Sequence, residues 1–213
     1  MLKRLAIGLI LVVLAAPATA QNFDQGLEAL KAKDFATAFR EFEPLANQGH
    51  AESQYIIGEL YFSGDGVDKD PDEAIKWFQK SAAQGYRYGQ YRLGMRYFMG
   101  DAVKRDLDKA RLLLRKAAEQ EHAGGMWALQ IFSAKDKVQA YKWALLANAR
   151  WGKTFAEDLL FYGIEEKTIE KIHEKFKETG LNAIRLLTEM MTPAQIAQGK
   201  KLAQEWSDKH NKR

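Results

Sequence analysis

Residues 54–84 read QYIIGELYFSGDGVDKDPDEAIKWFQKSAAQ, and residues 90–120 read QYRLGMRYFMGDAVKRDLDKARLLLRKAAEQ. Laid over one another without a gap, 51–86 on 87–122, the two stretches share Gln54/Gln90, Tyr55/Tyr91, Gly58/Gly94, Tyr61/Tyr97, Phe62/Phe98, Gly64/Gly100, Asp65/Asp101, Val67/Val103, Asp70/Asp106, Asp72/Asp108, Ala74/Ala110, Lys80/Lys116, Ala82/Ala118 and Gln84/Gln120. A fixed, ungapped period of this length is the signature of a stacked repeat array. Each period reads as two helices. In 51–86, helix A covers about 51–62, with Tyr55, Gly58 and Phe62 on one face. Gly64 accepts the left-handed conformation of a C-terminal cap, and Val67 fills the gap between the helices. Asp70 is the expected N-cap of helix B, Pro71 its first residue and Glu73 its capping-box acid. Ala74, Trp77, Phe78 and Ala82 supply the buried face. The fold class is therefore all-α, an α-solenoid of stacked antiparallel helix pairs.

The period runs both ways. One unit earlier, Asp34, Ala38, Phe42, Ala46, Gln48 and Gly49 repeat Asp70, Ala74, Phe78, Ala82, Gln84 and Gly85, giving a shorter first unit over about 23–50. One unit later Tyr91 maps to Trp127, the glycine loop is missing, and a gap aligns Ala110 and Ala117 with Ala140 and Ala147. Residues 123–151 are a degenerate fourth unit, as expected where an end repeat has one neighbour. Residues 152–213 leave the period and read as a helical C-terminal cap, with helices near 153–162, 165–178, 181–191 and 193–209. Gly163, Gly180 and Thr192-Pro193 are the expected breaks, Thr192 serving as N-cap. Gly58 and Gly94 sit mid-helix, where glycine costs roughly 1 kcal/mol against alanine, so a neighbouring helix is expected to approach closely there.

Residues 1–20 have the layout of a signal peptide. Lys3 and Arg4 precede the apolar run Leu5–Ala16, Pro17 follows, and Ala18-Thr19-Ala20 offers a cleavage site before Gln21. That run is well short of the roughly 20 residues that cross a bilayer, and no membrane span is expected in the mature chain. The chain carries 32 basic and 28 acidic residues. Removing Lys3 and Arg4 leaves 30 against 28, a balance that does not argue for nucleic acid. The absence of cysteine suits an oxidising compartment, and a Gram-negative periplasm is the expected location.

The pattern of Tyr55, Gly58, Tyr61, Gly64, Gly66-Val67, Asp70, Ala74, Trp77, Ala82 and Gly85 closely resembles the Sel-one-like repeat, a branch of the tetratricopeptide-like α-solenoids. The third unit departs from it at Ala102, Leu113 and Glu121, where the family has Gly, an aromatic and Gly. Met191–Ile196 and Leu202–Trp206 are similar to the closing helix of secreted members. The resemblance implies an adaptor that holds other proteins or envelope components.

Chemistry is sparse. Asp34, Asp70 and Asp106 are explained as caps, no serine lies in a nucleophile context, and no carboxylate pair stands out. No catalytic residue, cofactor or metal site is expected. His50, Tyr86 and His122 hold one equivalent position in successive units. They form either a row of side chains for a ligand or turns that tolerate any polar residue. His50 and His122 stand roughly 20 Å apart if units stack like packed helices, too far to share a metal. The recurring aromatics read as packing, with glycan stacking as the other reading. The partner-binding candidates are Arg92 and Arg96, which replace Ile56 and Leu60 four residues apart on helix A, with Arg87 and Tyr88 beside them. Arginines there would either grip carboxylates of a protein partner of the cell envelope or form a solvated face with local ion pairs; on the first reading, removing Arg92 and Arg96 is expected to abolish binding without altering stability. Function is thus expected to be non-catalytic protein–protein interaction; the alternatives are a module binding cell-envelope glycan, such as peptidoglycan or exopolysaccharide, and a cell-wall hydrolase for which no constellation of residues is present.

Overall fold

A computed structural model describes residues 18–161 and 166–210. Met1–Pro17 of the expected signal peptide and the expected break at Gly163 lie outside them. All elements in the described residues are helices, and they come in pairs: α1 (Ala18–Lys31) with α2 (Phe35–Asn47), α3 (Ala51–Ser63) with α4 (Pro71–Ala83), α5 (Arg87–Met99) with α6 (Leu107–Glu119), and α7 (Ala123–Phe132) with α8 (Lys137–Phe161). Two more helices follow, α9 (Glu166–Glu189) and α10 (Pro193–His210). Each helix packs on the next as far as α9, and α10 turns back onto α8. Helices α3 and α5 also touch, which places the A helices on the inner side of the curve, and α1 comes into contact with α8. This is the α-solenoid read from the repeat.

Local signals place the helix ends. The side chains of Asp34, Asp70 and Asp106 accept from the backbone N–H of Thr37, Glu73 and Lys109 at 3.1, 2.9 and 3.0 Å. The capping box of α4 is only half formed. Glu73 pairs with Lys76 at 2.7 Å, and the Asp70 N–H donates instead to the Tyr61 carbonyl at 2.9 Å. Gly64 and Gly100 end α3 and α5 in the left-handed region, at φ 84° and 74°. Thr192 and Gln195 form the reciprocal box at the start of α10: the Thr192 N–H donates to Gln195 Oε1 at 2.9 Å and the Gln195 N–H to Thr192 Oγ1 at 3.3 Å.

Ala102 and Glu121, where the repeat pattern has glycine, keep the glycine conformation at φ 57° and 63°. Left-handed backbone costs a non-glycine residue roughly 1–2 kcal/mol. At Glu121 a specific contact offsets it: Arg150 donates to the carboxylate from Nε at 3.0 Å and from Nη2 at 2.8 Å.

Two expected boundaries are absent. Residues 153–161 continue α8, which has 25 residues against 13 in α3–α6. The expected helices 165–178 and 181–191 are one helix, α9, running through Gly180. Gly180 does not stop the helix because its role is contact: a Cβ added there would lie 2.8 Å from Asn148 Oδ1. The missing side chain lets α9 approach α8.

Two apolar cores fill the array. Phe42, Ile56, Ile57 and Phe78 anchor the first, and Leu114, Met126, Trp143 and Trp206 the second. Trp206 belongs to α10, so the last helix is bound into the core of the fourth pair. Between the helices run amides that recur with the repeat. Gln84 donates to Gln54 Oε1 at 2.7 Å, and Gln54, itself buried, donates to the Ala46 carbonyl at 3.0 Å. One unit on, Gln120 donates to Gln90 Oε1 at 2.9 Å and to the Gly85 carbonyl at 2.8 Å.

Replacing Gln84 by Leu strands the buried Gln54 Oε1, and a buried group left without its partner costs about 1–3 kcal/mol. Replacing Gln54 instead leaves the exposed Gln84 amide to solvent and the Ala46 carbonyl with the Gly49 N–H at 3.0 Å. Urea denaturation should show Gln84→Leu losing about 1–3 kcal/mol, and the double variant losing less than the two single variants together. A Cβ at Gly58 would lie 2.6 Å from the Phe78 ring, whereas at Gly94 it would meet the Leu114 side chain at 3.0 Å. Overpacking costs about 1–3 kcal/mol, against about 1 kcal/mol of helix propensity gained. Gly58→Ala should therefore lower the melting temperature, and more than Gly94→Ala does.

Candidate functional site

The N-cap residues of the A helices build the most distinctive surface. His50 and His122 cap α3 and α7 through Nδ1, which accepts the Ser53 N–H at 3.3 Å and the Gly125 N–H at 3.1 Å. Tyr86 holds the same place before α5 without a side-chain cap. Each ring packs on an aromatic of the preceding A helix. His50 meets Phe23 edge-on at 5.0 Å, Tyr86 lies 5.7 Å from Tyr55, and His122 stacks on Tyr91 at 4.3 Å. These positions are thus neither indifferent turns nor a free polar row: His50 and His122 cap helices, and all three rings lock successive A helices together.

Tyr88 extends the cluster. Its ring lies 5.5 Å from Tyr55, 5.4 Å from Tyr86 and 5.1 Å from His122. Arg87 donates to the Tyr88 hydroxyl at 3.0 Å and sits over that ring at 4.9 Å, and it reaches the Gln120 carbonyl at 3.4 Å. Arg92 forms a two-pronged ion pair with Glu59, which ties α5 to α3. Burial first, then the Glu52 carboxylate, keeps the Tyr86 hydroxyl protonated far above the usual range. Burial also raises the Tyr91 hydroxyl. Tyr86, Arg87, Tyr88, Tyr91 and Arg92 are all half-buried.

Three of the four sequence-derived candidates, Arg87, Tyr88 and Arg92, therefore come together. Arg96 does not join them. Its side chain is only 9% exposed, pairs with Asp101 at 2.6 Å and lies over the Phe62 ring at 4.4 Å. The expectation that Arg92 and Arg96 can be removed without altering stability is corrected on this ground, since both hold the array together. The sequence reading missed Glu59 and Glu52. A signal for Glu59 was present: an acid in one A helix faces the arginine that is unique to the next. The recurring aromatics Tyr55, Trp77 and Phe78 are buried, and Tyr61, Phe62 and Tyr97 pack partly buried against the core, which is packing and not a stacking platform.

A second recess, about 310 Å³ and open to solvent, lies between α7, α8 and α9. Trp127, at the repeat position of Tyr55 and Tyr91, lines it and is 38% exposed. Asn148 Oδ1 is buried beside it with no hydrogen-bond partner.

Among the described residues no group of three or more His, Cys, Asp or Glu side chains gathers as a metal site would, and no helix is long and apolar enough to cross a membrane. An array of helix pairs with a half-buried tyrosine–arginine surface defines the class as a helical-repeat scaffold. The Sel1 repeat family matches residues 51–86, 87–122 and 131–150, and the chain carries Sel1 repeats there. The first unit, about 23–50, and the first helix of the fourth lie outside these matches. Among solved structures, a Sel1 repeat protein from Oxalobacter formigenes is similar over 90% of this chain and 82% of that one, at 24% identity and a TM-score of 0.60. The protein c5321, a protective antigen of uropathogenic Escherichia coli strains displaying an SLR fold, is similar over 90% of this chain and 46% of its own, at 22% identity and a TM-score of 0.53. Both likenesses concern the fold. No curated protein matches the chain.

The burial of His122, followed by the Arg87 and Arg92 guanidinium groups, pushes its imidazole down to about 3. The neutral ring is the one that caps α7. An unfolded histidine titrates near 6.5, so below that pH the unfolded chain takes up the proton first. Stability is therefore full above about pH 6.5, declines as pH falls towards about 3 and levels off below, a loss on the order of a few kcal/mol. Denaturation measured across this window should show that slope, and His122→Asn, which keeps a capping acceptor, should flatten it.

Proposed function

We propose that the protein is a non-catalytic interaction module of the periplasm, exported by residues 1–20, that holds a protein of the cell envelope against the inner face of its A helices. The observation that carries this reading is the half-buried cluster of Arg87, Tyr88 and Arg92 with Tyr86, Tyr91 and His122. Tyrosine and arginine dominate the energetic centres of protein interfaces. Here their rings and guanidinium groups are already held in place by one another and by Glu59. Little side-chain freedom remains to be lost on binding. Arg87 and Tyr88 make the contact, Arg92 borders it, and Arg96 acts from behind by fixing Asp101.

A photo-crosslinking amino acid at position 92 of the full chain, activated in cells and read by mass spectrometry, tests this. The expected result is a single envelope protein recovered from the periplasmic fraction, with Arg87→Ala plus Tyr88→Ala reducing its yield about tenfold or more while the melting transition stays cooperative. The recovered chain should begin at Gln21. Unchanged yield in the double variant, or retention on insoluble cell-wall glycan in place of a protein adduct, overturns the reading.

A further inference from the structure

The third unit, 87–122, contains six arginines, and four of them meet oxygen. Arg92 and Arg96 pair with Glu59 and Asp101, Arg87 reaches the Gln120 carbonyl and the Tyr88 hydroxyl, and Arg105 donates to the Phe98 carbonyl at 3.1 Å. Arg111 and Arg115 are different. They are exposed, lie one turn apart on α6, and enter none of the ion pairs or hydrogen bonds found among the described residues. Their sides instead meet apolar surface or cations. The Arg111 guanidinium lies over the Phe132 ring at 5.5 Å. Arg115 is close enough to Lys142 of α8 to help burial hold that amine below its usual range, and Glu205 of α10 only partly opposes this. Lys142 lies over Trp143 at 4.4 Å and also lacks an ion pair, while the Glu205 carboxylate is itself 3.9 Å from Lys201.

The repeat supplies its own control. One unit earlier the places of Arg111 and Arg115 are taken by Ile75 and Gln79, and the place of Lys142 by Leu112. The array therefore stacks without these charges. Like charges held together on a surface repel one another where their counter-charge is incomplete, as it is here with Glu205 alone opposing Lys142 in part. Exposed leucines lie on the same helix as the two arginines: Leu112 is 56% exposed and Leu107 41%.

We propose that Arg111, Arg115 and Lys142 form a docking surface, between α6 and α8, for an acidic segment of a partner protein that carries carboxylates for the three cations and an apolar residue for Leu112. Arginine guanidinium groups bind carboxylates through two parallel hydrogen bonds. Rings beneath Arg111 and Lys142 orient the cations without neutralising them. The exposed leucines favour a peptide over a purely ionic ligand. This surface is separate from the inner-face cluster and does not rest on it.

The test uses the full mature chain and a fluorescein-labelled peptide of alternating glutamate and leucine, with inorganic phosphate and phosphatidylglycerol vesicles as competitors. Fluorescence anisotropy should show binding that weakens about tenfold or more in Arg111→Gln plus Arg115→Gln, as expected for charge-assisted hydrogen bonds. Leu112→Ser should weaken it severalfold, and raised salt should weaken it too. Arg87→Ala plus Tyr88→Ala should leave it unchanged, which separates this proposal from the inner-face reading. Because Arg111 and Arg115 are exposed, their removal should not lower the melting temperature. No binding of the peptide, equal binding by the Arg111 and Arg115 variant, or displacement by phosphate or vesicles at matched charge overturns the proposal; in the last case the surface is a site for phosphate or lipid.

Discussion

An amide-to-amide hydrogen bond inside each of the two central helix pairs sets the geometry on which the array depends. Gln54 receives the Gln84 amide and passes its own to the Ala46 carbonyl, so one buried side chain joins the ends of α2 and α4 to the start of α3. One unit on, Gln120 makes both bonds itself, donating to Gln90 Oε1 and to the Gly85 carbonyl. Apolar contact is tolerant of small slides, whereas a buried amide has one register in which its groups are satisfied. The glutamines thus turn a pile of amphipathic helices into units with a fixed offset. Gly58 and Gly94 then allow the spacing to be tight, because a side chain there would enter Phe78 or Leu114.

On this common frame the third unit departs from its neighbour, and its departures are anchored by contacts the neighbour lacks. Arg92, where the second unit has Ile56, ties back to Glu59. Glu121, strained where the pattern has glycine, is held by Arg150, which also lies over Trp206 at 5.3 Å. Trp206 in turn stacks on His210 at 3.7 Å and meets Trp143 at 6.3 Å. A strained turn of the third unit is therefore coupled through α8 to the last helix. Arg111 and Arg115 are the departures that the fold itself does not use.

Much of the fold was legible because its determinants are local. Caps at Asp70 and Asp106, the left-handed glycines and the alternation of small and aromatic residues act within one unit, and the period repeats them. The box at Thr192 was legible for the same reason. Contacts made across units were harder. Gly180 looks like a stop until Asn148 of α8 is beside it, and α8 runs on past the period because nothing in its sequence breaks it before Phe161. The candidate site divided along the same line. The sequence brings Arg87, Tyr88, Arg92 and Arg96 into one helix, but what each guanidinium meets is fixed by Glu59, Asp101 and Gln120, two of them outside that unit's first helix and one in the unit before. His122 looked like a surface turn because its burial comes from Tyr91 and Tyr88, which face it only after stacking.

Among the described residues α10 packs chiefly on α8, and so does α9. In a simple array the last element must leave before the one beneath it can. Here the order is uncoupled: α9 is an excursion between two elements that are bound to the same support. Contact between α9 and α8 is therefore not what holds the end of the array, since Trp206 anchors the chain beyond it in the second core. The recess beside Trp127 and Asn148 is walled by α9, and of its lining residues only Ala147 belongs to a core. The α9 wall of this recess thus comes from an element whose described residues enter neither core, the kind of place where local opening costs less than global unfolding.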